Sequence, residues 1–275
     1  MNVATPRADV RAKINYSADN GRPIDYYFYD PDPGLQLNPP GTDVQEVEIR
    51  DGWALAASFD PDREGFCLAD FPNSFNAFDD EAAIKSTFYD QAIAFVKEQT
   101  GAKRVVVFDH TLRRRLAADL AAQTTTSRPA VLLVHSDYTP NSGVQRVRDI
   151  VPDEAEELLK GRVAFYNVWK PLFDVVEELP LACCDAQSQL DDDLMVMQLK
   201  YRERTGEIYV LRHNPDHRWW YFPRMTPDQA LLLKTYDSET DGRARFMGHT
   251  AFEDPNTPAG AKKRQSVEIR TMAFF

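Results

Sequence analysis

A mainly β (α+β) fold with a jelly-roll core is predicted by three observations on this chain. Short runs alternating between apolar and polar residues recur along its length, Asp-Pro, Pro-Gly, Asp-Gly and Asn-Pro-Asp breakers separate them, and only two or three segments carry a helical period. N-terminal strands and supporting helices are expected to brace the core. In chain order, residues 1–20 are polar without clear periodicity and are expected to be a loose arm. Residues 21–275 then form a single domain, with core strands from about residue 103 onward.

The aromatic run 26–29 and the apolar run 53–59 read as strands between turn signals. Residues 79–99 read as a helix: Asp79, Asp80 and Glu81 suit its positive end, Ala83, Phe88, Ala92, Phe95 and Val96 mark one stripe, and Gly101 ends it. A strand over 103–109 and a basic, alanine-rich helix over 112–123 follow. The run 131–137 is a strand, 152–160 a short helix opened by Pro-Asp, and 162–169, 194–202, 207–213 and 218–222 are strands. Residues 227–233 read as a short helix, and strands over 243–251 and 266–275 close the set. The long span between Asp137 and His249 implies an insertion, including a helix over 149–160, that forms a lid.

The chemistry is concentrated in a few residues. His135-Ser136-Asp137 ends the apolar run Val131–Val134, and a strand's period of two puts His135 and Asp137 on one face. With five histidines and 43 acidic residues in the chain, a His-X-Asp alone says little. His249, brought in by the fold from an alternating segment, completes a two-His, one-carboxylate face. That set leaves half the coordination sphere of a ferrous ion open for a cosubstrate and O2. Arg264-Gln265-Ser266 follows: the guanidinium can pair with a carboxylate through two hydrogen bonds, and Ser266 on the same side adds a third. Iron plus an anchor for a dicarboxylate is the reading.

Several stretches together resemble a known family. They are His135-Ser136-Asp137-Tyr138-Thr139, Tyr166-Asn167-Val168-Trp169-Lys170-Pro171-Leu172, Pro180-Leu181-Ala182, Trp219-Trp220-Tyr221-Phe222-Pro223, Lys234-Thr235-Tyr236-Asp237-Ser238, His249-Thr250-Ala251-Phe252 and the run from Arg264 to Arg270. The chain resembles, over nearly its whole length, the Fe(II)/2-oxoglutarate-dependent oxygenases that include fungal gibberellin desaturase, the aspergillic acid hydroxylase/desaturase and the cephamycin 7α-hydroxylation protein. Lys170 departs from the pattern, standing where an arginine is expected after Trp169.

The resemblance implies a double-stranded β-helix, iron held by His135, Asp137 and His249, and 2-oxoglutarate held by Arg264. It implies that a small metabolite of amino acid, peptide or terpenoid type is hydroxylated, desaturated or cyclised through an Fe(IV)-oxo intermediate, with O2 consumed and succinate and CO2 released. Asn167, sharing a strand face with Trp169, and the hydroxyl of Tyr201 are further candidates to bind the cosubstrate. Arg270 is the runner-up anchor or a substrate partner, and Arg146, Lys170 and Tyr138 are candidates for substrate. His110, without an acid at ligand spacing, reads as structural, and His213 and His217 read as exposed. Two alternatives stand beside this: a non-haem iron oxidase that does not use 2-oxoglutarate, and a non-catalytic jelly-roll binding partner.

Composition narrows the remaining classes. With 32 basic against 43 acidic residues the net charge is −11, which opposes binding to nucleic acid or anionic membranes. No apolar run approaches the roughly 20 residues of a membrane span. Cys67, Cys183 and Cys184 fit neither a disulfide framework nor a zinc spacing, and suit a reducing cytoplasm. The expected partner is a small molecule, with a homodimer allowed.

Overall fold

The alternation of each strand decides which side chains meet between two facing sheets. The computed structural model describes residues 8–72, 74–113 and 129–275. Its first strands are β1 (Val10–Tyr16), β2 (Ile24–Tyr27), β3 (Asp43–Asp51), β4 (Phe66–Asp70), β5 (Arg104–Arg113) and β6 (His135–Ser136). Then come β7 (Val163–Pro171), β8 (Leu181–Cys184), β9 (Leu194–Lys200) and β10 (Thr205–Leu211). The last are β11 (Trp219–Tyr221), β12 (Gln229–Asp237), β13 (His249–Ala251) and β14 (Ser266–Phe274). Helices are α1 (Glu81–Ala83), α2 (Tyr89–Thr100), α3 (Pro140–Ile150) and α4 (Ala155–Leu158).

A nine-stranded sheet runs β1-β3-β11-β8-β13-β6-β10-β9-β2 and a five-stranded sheet β4-β12-β7-β14-β5. The larger one curls until Asn15 bridges Leu133 and the Val134 N–H reaches the Asn15 carbonyl at 2.9 Å. Together they are the curled, half-open jelly-roll core the sequence predicts.

In the smaller sheet, β7 and β14 pair so that Asn167 lies opposite Arg270 and Trp169 opposite Glu268. These four point inward, toward the larger sheet. The residues between them, Tyr166, Val168, Val267 and Ile269, face outward and are buried by Phe88, Ala92, Phe95 and Val96 of the helical segment. That segment runs through α1, a π turn over Ile84–Phe88, and α2. Asp80 caps its start by accepting from the Ala83 N–H at 3.0 Å, and Gly101 ends it at φ 71°. Phe88 and Phe95, almost fully buried, contribute about 2–3 kcal/mol each.

Several expectations are corrected. Residues 1–20 are not all a loose arm: Val10, Ala12, Ile14 and Tyr16 alternate as the buried face of β1, paired along its length with β3. Core strands therefore begin well before residue 103. Residues 53–59 hold a 3-10 helix, Trp53–Ser58, instead of a strand. The helix expected over 227–233 is the start of β12, which is buried on both faces between β4 and β7 and so shows no alternation to separate it from a helix. Only His249–Ala251 of the run 243–251 pairs as strand, and only His135–Ser136 of the run 131–137. Leu112 and Arg113 extend β5; the rest of the helix expected over 112–123 lies outside the described residues.

The helical insertion after Asp137 starts earlier than expected, at Pro140. Thr139 and Ser142 form a capping box there. Val147 and Ala155 pack into a core cluster with Phe165, Tyr236 and Met272, so α3 and α4 brace the sheets. Gly143 permits the approach, since a Cβ there would sit 2.8 Å from the Tyr236 ring. Among the described residues no helix is long and apolar enough to cross a membrane.

Candidate metal centre and its cleft

β6 and β13 are neighbours in the nine-stranded sheet with His135 and His249 as direct partners, so both imidazoles leave it on the same face. Their ring centroids are 4.4 Å apart. Gly248 makes room for this: a Cβ there would lie 2.7 Å from Gln189 Oε1 and 2.8 Å from Leu211 Cδ2. His135 Nδ1 donates to the Leu133 carbonyl at 2.7 Å and His249 Nδ1 to the Met247 carbonyl at 3.3 Å. A carbonyl only accepts, so each ring carries its proton on Nδ1 and keeps an Nε2 lone pair for a metal.

Asp137, two residues past His135, returns to the same side. Its Oδ1 is 3.6 Å from His135 Nε2, within the span of two ligands each about 2.1 Å from one ion. Candidate ligand atoms of His135, Asp137 and His249 all lie within 4.8 Å of one another. Two neutral imidazoles and one carboxylate on one side of a point fit ferrous iron.

The carboxylate's other oxygen is already engaged. Asp137 Oδ2 accepts from Asn167 Nδ2 at 2.6 Å and from Arg270 Nε at 3.4 Å. Arg270 also donates to Asp109 Oδ2 at 3.2 Å, Thr111 Oγ1 at 2.9 Å and Glu268 Oε2 at 3.0 Å. Burial alone would push the Asp137 carboxyl up; the Arg270 guanidinium, then His249 and His135, outweigh it and hold it below the usual carboxylate range. Burial, reinforced by His249, pushes His135 down to about 4, so it is neutral at pH 7, as a ligand must be.

His135 and His249 line a cleft together with Trp169, Leu181, Leu233, Thr250, Arg264 and Glu268. Arg264 is buried there beneath the Trp169 ring, 5.6 Å from its centroid, with a hydrogen bond to the Leu179 carbonyl. No carboxylate among the described residues forms an ion pair with it. Burial, and then the charge of Arg113, pushes it down to about 9. Ser266 is fully buried, two positions on, and its Oγ has no hydrogen-bond partner among the described residues. A desolvated cation and an orphaned hydroxyl, both on the cleft side of the strand, match the needs of a bound carboxylate.

Other expected site residues fall elsewhere. Asn167 is buried beside the centre, but its amide serves Asp137 and Glu268. Arg270 gives four of its five N–H donors to Asp137, Asp109, Thr111 and Glu268, so it is engaged chiefly with protein groups. Lys170 faces outward by the parity of β7: its Nζ donates to the Phe71 carbonyl at 2.9 Å, and burial pushes it down to about 8. Tyr138 packs edge-on against Phe165 in the core, centroids 4.7 Å apart. Arg146, on α3, lies over the Phe108 ring. Tyr201 stacks on Phe28 at the β9–β10 turn, two strands from His135.

His110 is structural, bonded through Nδ1 to the Tyr89 hydroxyl at 2.7 Å. His217 is not exposed; it bridges the Tyr16 hydroxyl and Asp193 Oδ2 at 3.0 and 3.1 Å. His213 is partly buried, edge-on to Tyr16.

Two residues of the cleft went unnoticed in the sequence. Arg113 donates to the Pro129 carbonyl at 2.8 Å and to Glu268 Oε2 at 3.2 Å, and Glu268 is nearly fully buried. The parity of β14 marks Glu268, because it shares a face with Ser266 and Arg270. Arg113 was hidden by the helix expected from residue 112.

A family model described as "Oxidoreductase/YMDC permease-like domain" matches residues 14–274. The hydroxylase/desaturase efuI of Hormonema carpetanum is 34% identical over 253 residues, covering 84% of this chain and 84% of that protein. The Fe(II)/2-oxoglutarate-dependent dioxygenase nvfI of Aspergillus novofumigatus is 29% identical over 256 residues, 90% of each. A solved structure of the iron and alpha-ketoglutarate-dependent endoperoxidase NvfI superposes with a TM-score of 0.88 at 25% identity, covering 97% of this chain and 98% of that one.

Proposed function

We propose residue roles from one premise: the chain belongs to the family of Fe(II)- and 2-oxoglutarate-dependent hydroxylases, desaturases and dioxygenases. It is a 2-oxoglutarate-dependent non-haem iron oxygenase acting on a small metabolite, and it uses Fe2+, 2-oxoglutarate and O2. When bound, the iron and its cosubstrate supply the oxidant that removes an unactivated hydrogen, and the oxo acid leaves as succinate and CO2.

His135, Asp137 and His249 hold the metal. Arg264 takes the far carboxylate of 2-oxoglutarate, and Ser266 adds a hydroxyl donor. The Trp169, Leu181 and Leu233 side chains keep water from the anchor, which strengthens the charged hydrogen bonds made there. One observation carries the assignment of the anchor: among the described residues, Arg264 is buried in the metal-site cleft with a backbone carbonyl as its only hydrogen-bond partner, beside a Ser266 hydroxyl with none.

Purified protein with ferrous iron, ascorbate and 2-oxoglutarate is expected to release succinate, and His135→Ala or His249→Ala to abolish it. Unchanged succinate formation in both variants overturns the ligand assignment. A KM for 2-oxoglutarate unmoved by Arg264→Leu overturns the anchor.

The compartment and assembly follow from coarser signals. Three buried free thiols suit the cytoplasm. A homodimer would cover Tyr26 of edge strand β2 and Phe28 just past its end, each nearly half exposed. Light scattering that finds only monomer at micromolar concentration excludes the dimer.

A further inference from the structure

Two carboxylates stand at this centre, and only one belongs on the metal. Glu268 lines the same cleft as His135 and His249, and it is 4% exposed. A second carboxylate ligand would close a position that the cosubstrate and O2 need. One side chain spans both acids: the Asn167 amide nitrogen donates to Asp137 Oδ2 at 2.6 Å and to Glu268 Oε1 at 2.8 Å. The amide cannot be turned over, since that would set its oxygen against two carboxylates. Its Oδ1 accordingly points away, buried and without a hydrogen-bond partner among the described residues. Glu268 Oε2 is held from the other side by Arg113 at 3.2 Å and Arg270 at 3.0 Å.

We infer that Asn167 is a positioning residue that separates the two acids, leaving Asp137 one oxygen for the metal and keeping Glu268 off it. The β7–β14 register makes this possible: Asn167 lies opposite Arg270, two residues along from the Trp169–Glu268 pair on the same inward face. Asn167 touches neither the cosubstrate nor the reacting atoms; it acts through the acids. A short amide with two donor hydrogens is the only neutral group of this size that serves two acceptors at once. Removing it frees Glu268 Oε1 and leaves Asp137 Oδ2 with only the long Arg270 Nε contact at 3.4 Å. Glu268 can then turn toward the cation and occupy a position meant for 2-oxoglutarate.

The inference rests on the iron and 2-oxoglutarate reading, and its test separates the two. Under anaerobic conditions, at saturating Fe(II), 2-oxoglutarate is titrated into the protein while its charge-transfer absorption with iron is recorded. If the unaltered protein shows no such band, the cosubstrate reading fails. Given the band, Asn167→Ala is expected to bind Fe(II) within a few-fold of the parent and to weaken 2-oxoglutarate binding tenfold or more. Adding Glu268→Gln to Asn167→Ala is expected to bring the dissociation constant back to within about threefold of Glu268→Gln alone. Asn167→Ala with unaltered 2-oxoglutarate binding overturns the inference. So does a loss that Glu268→Gln does not rescue, which would place Asn167 on the cosubstrate itself. Should Asn167→Ala fail to fold by circular dichroism, Asn167→Ser, whose single donor serves only one acid, is measured against the same outcomes.

Discussion

At the start of β14, Ser266, and just before it Arg264, face the cleft with hydrogen-bonding capacity unmet among the described residues, whereas in the middle of the strand Glu268 and Arg270 have most of theirs filled. Both arginines are buried or nearly so, and both sit on the same side of one chain segment. Burial and the like charge of Arg113 push Arg264 down, toward losing its proton. Arg270 is pushed the other way, because the nearby charges of Glu268, Asp137 and Asp109 outweigh its burial. The contrast separates two uses of a buried guanidinium: one waits for an acid from outside, the other holds acids the protein already contains. Asp137 depends on the second; in the proposed role of Arg264, 2-oxoglutarate depends on the first.

The sharpest break of that contrast is Arg270→Leu. It strands Asp137 and Glu268 without their principal cation, so unfolding should become easier by about 3–5 kcal/mol, with the thermal midpoint as the readout. Arg264→Leu should leave the midpoint unchanged or raised, while the KM for 2-oxoglutarate rises on the order of a hundredfold. Equal destabilisation by both substitutions would show that Arg264 is structural as well.

A pH series tests the metal side without mutation. His135 titrates near 6.5 when unfolded and about 4 when folded, so its neutral form is the one the fold favours. Its contribution is complete above pH 6.5 and is lost as pH falls from 6.5 toward 4, at roughly 1 kcal/mol per unit for the metal-free protein. Iron saturation should shift the loss to lower pH; denaturant midpoints with and without Fe(II) check both statements. Smaller again, Ser266→Ala should raise the KM for 2-oxoglutarate about threefold to tenfold and leave kcat nearly unchanged. Least of all, Lys170→Met on the opposite face of β7 should change neither KM and should leave stability within about 1 kcal/mol of the parent or above it. A substrate KM raised by Lys170→Met would return it to the site.

Most of the centre was readable because it is local or periodic. His135 and Asp137 are joined by a period of two, as are Arg264 and Ser266, and a motif of residue types carries the metal's identity. What was missed shares a different character. Lys170 was read by its charge, although the parity already used to pair Asn167 with Trp169 assigns it to the outer face. β12 lies between two strands and two layers, so its unbroken Ala-Leu-Leu-Leu run looks the same as a buried helix. β1 shows its alternation in Val10, Ala12, Ile14 and Tyr16, yet charged residues between them gave the stretch the look of a tail. Arg113 needed the true end of β5.

The chain's own residues therefore determined the class of fold and the metal ligands, and pointed to the proposed anchor, since each depends on spacing along a strand. Tertiary structure alone decided which acids are free and which are spoken for. Asp137, Glu268, Asn167, Arg113 and Arg270 come from segments far apart in sequence, and their mutual hydrogen bonds exist only in the register of β5, β14 and β7 with β6 facing them. A carboxylate's role at a buried site is set by which donors reach it first, and donor distances across a sandwich are a property of packing.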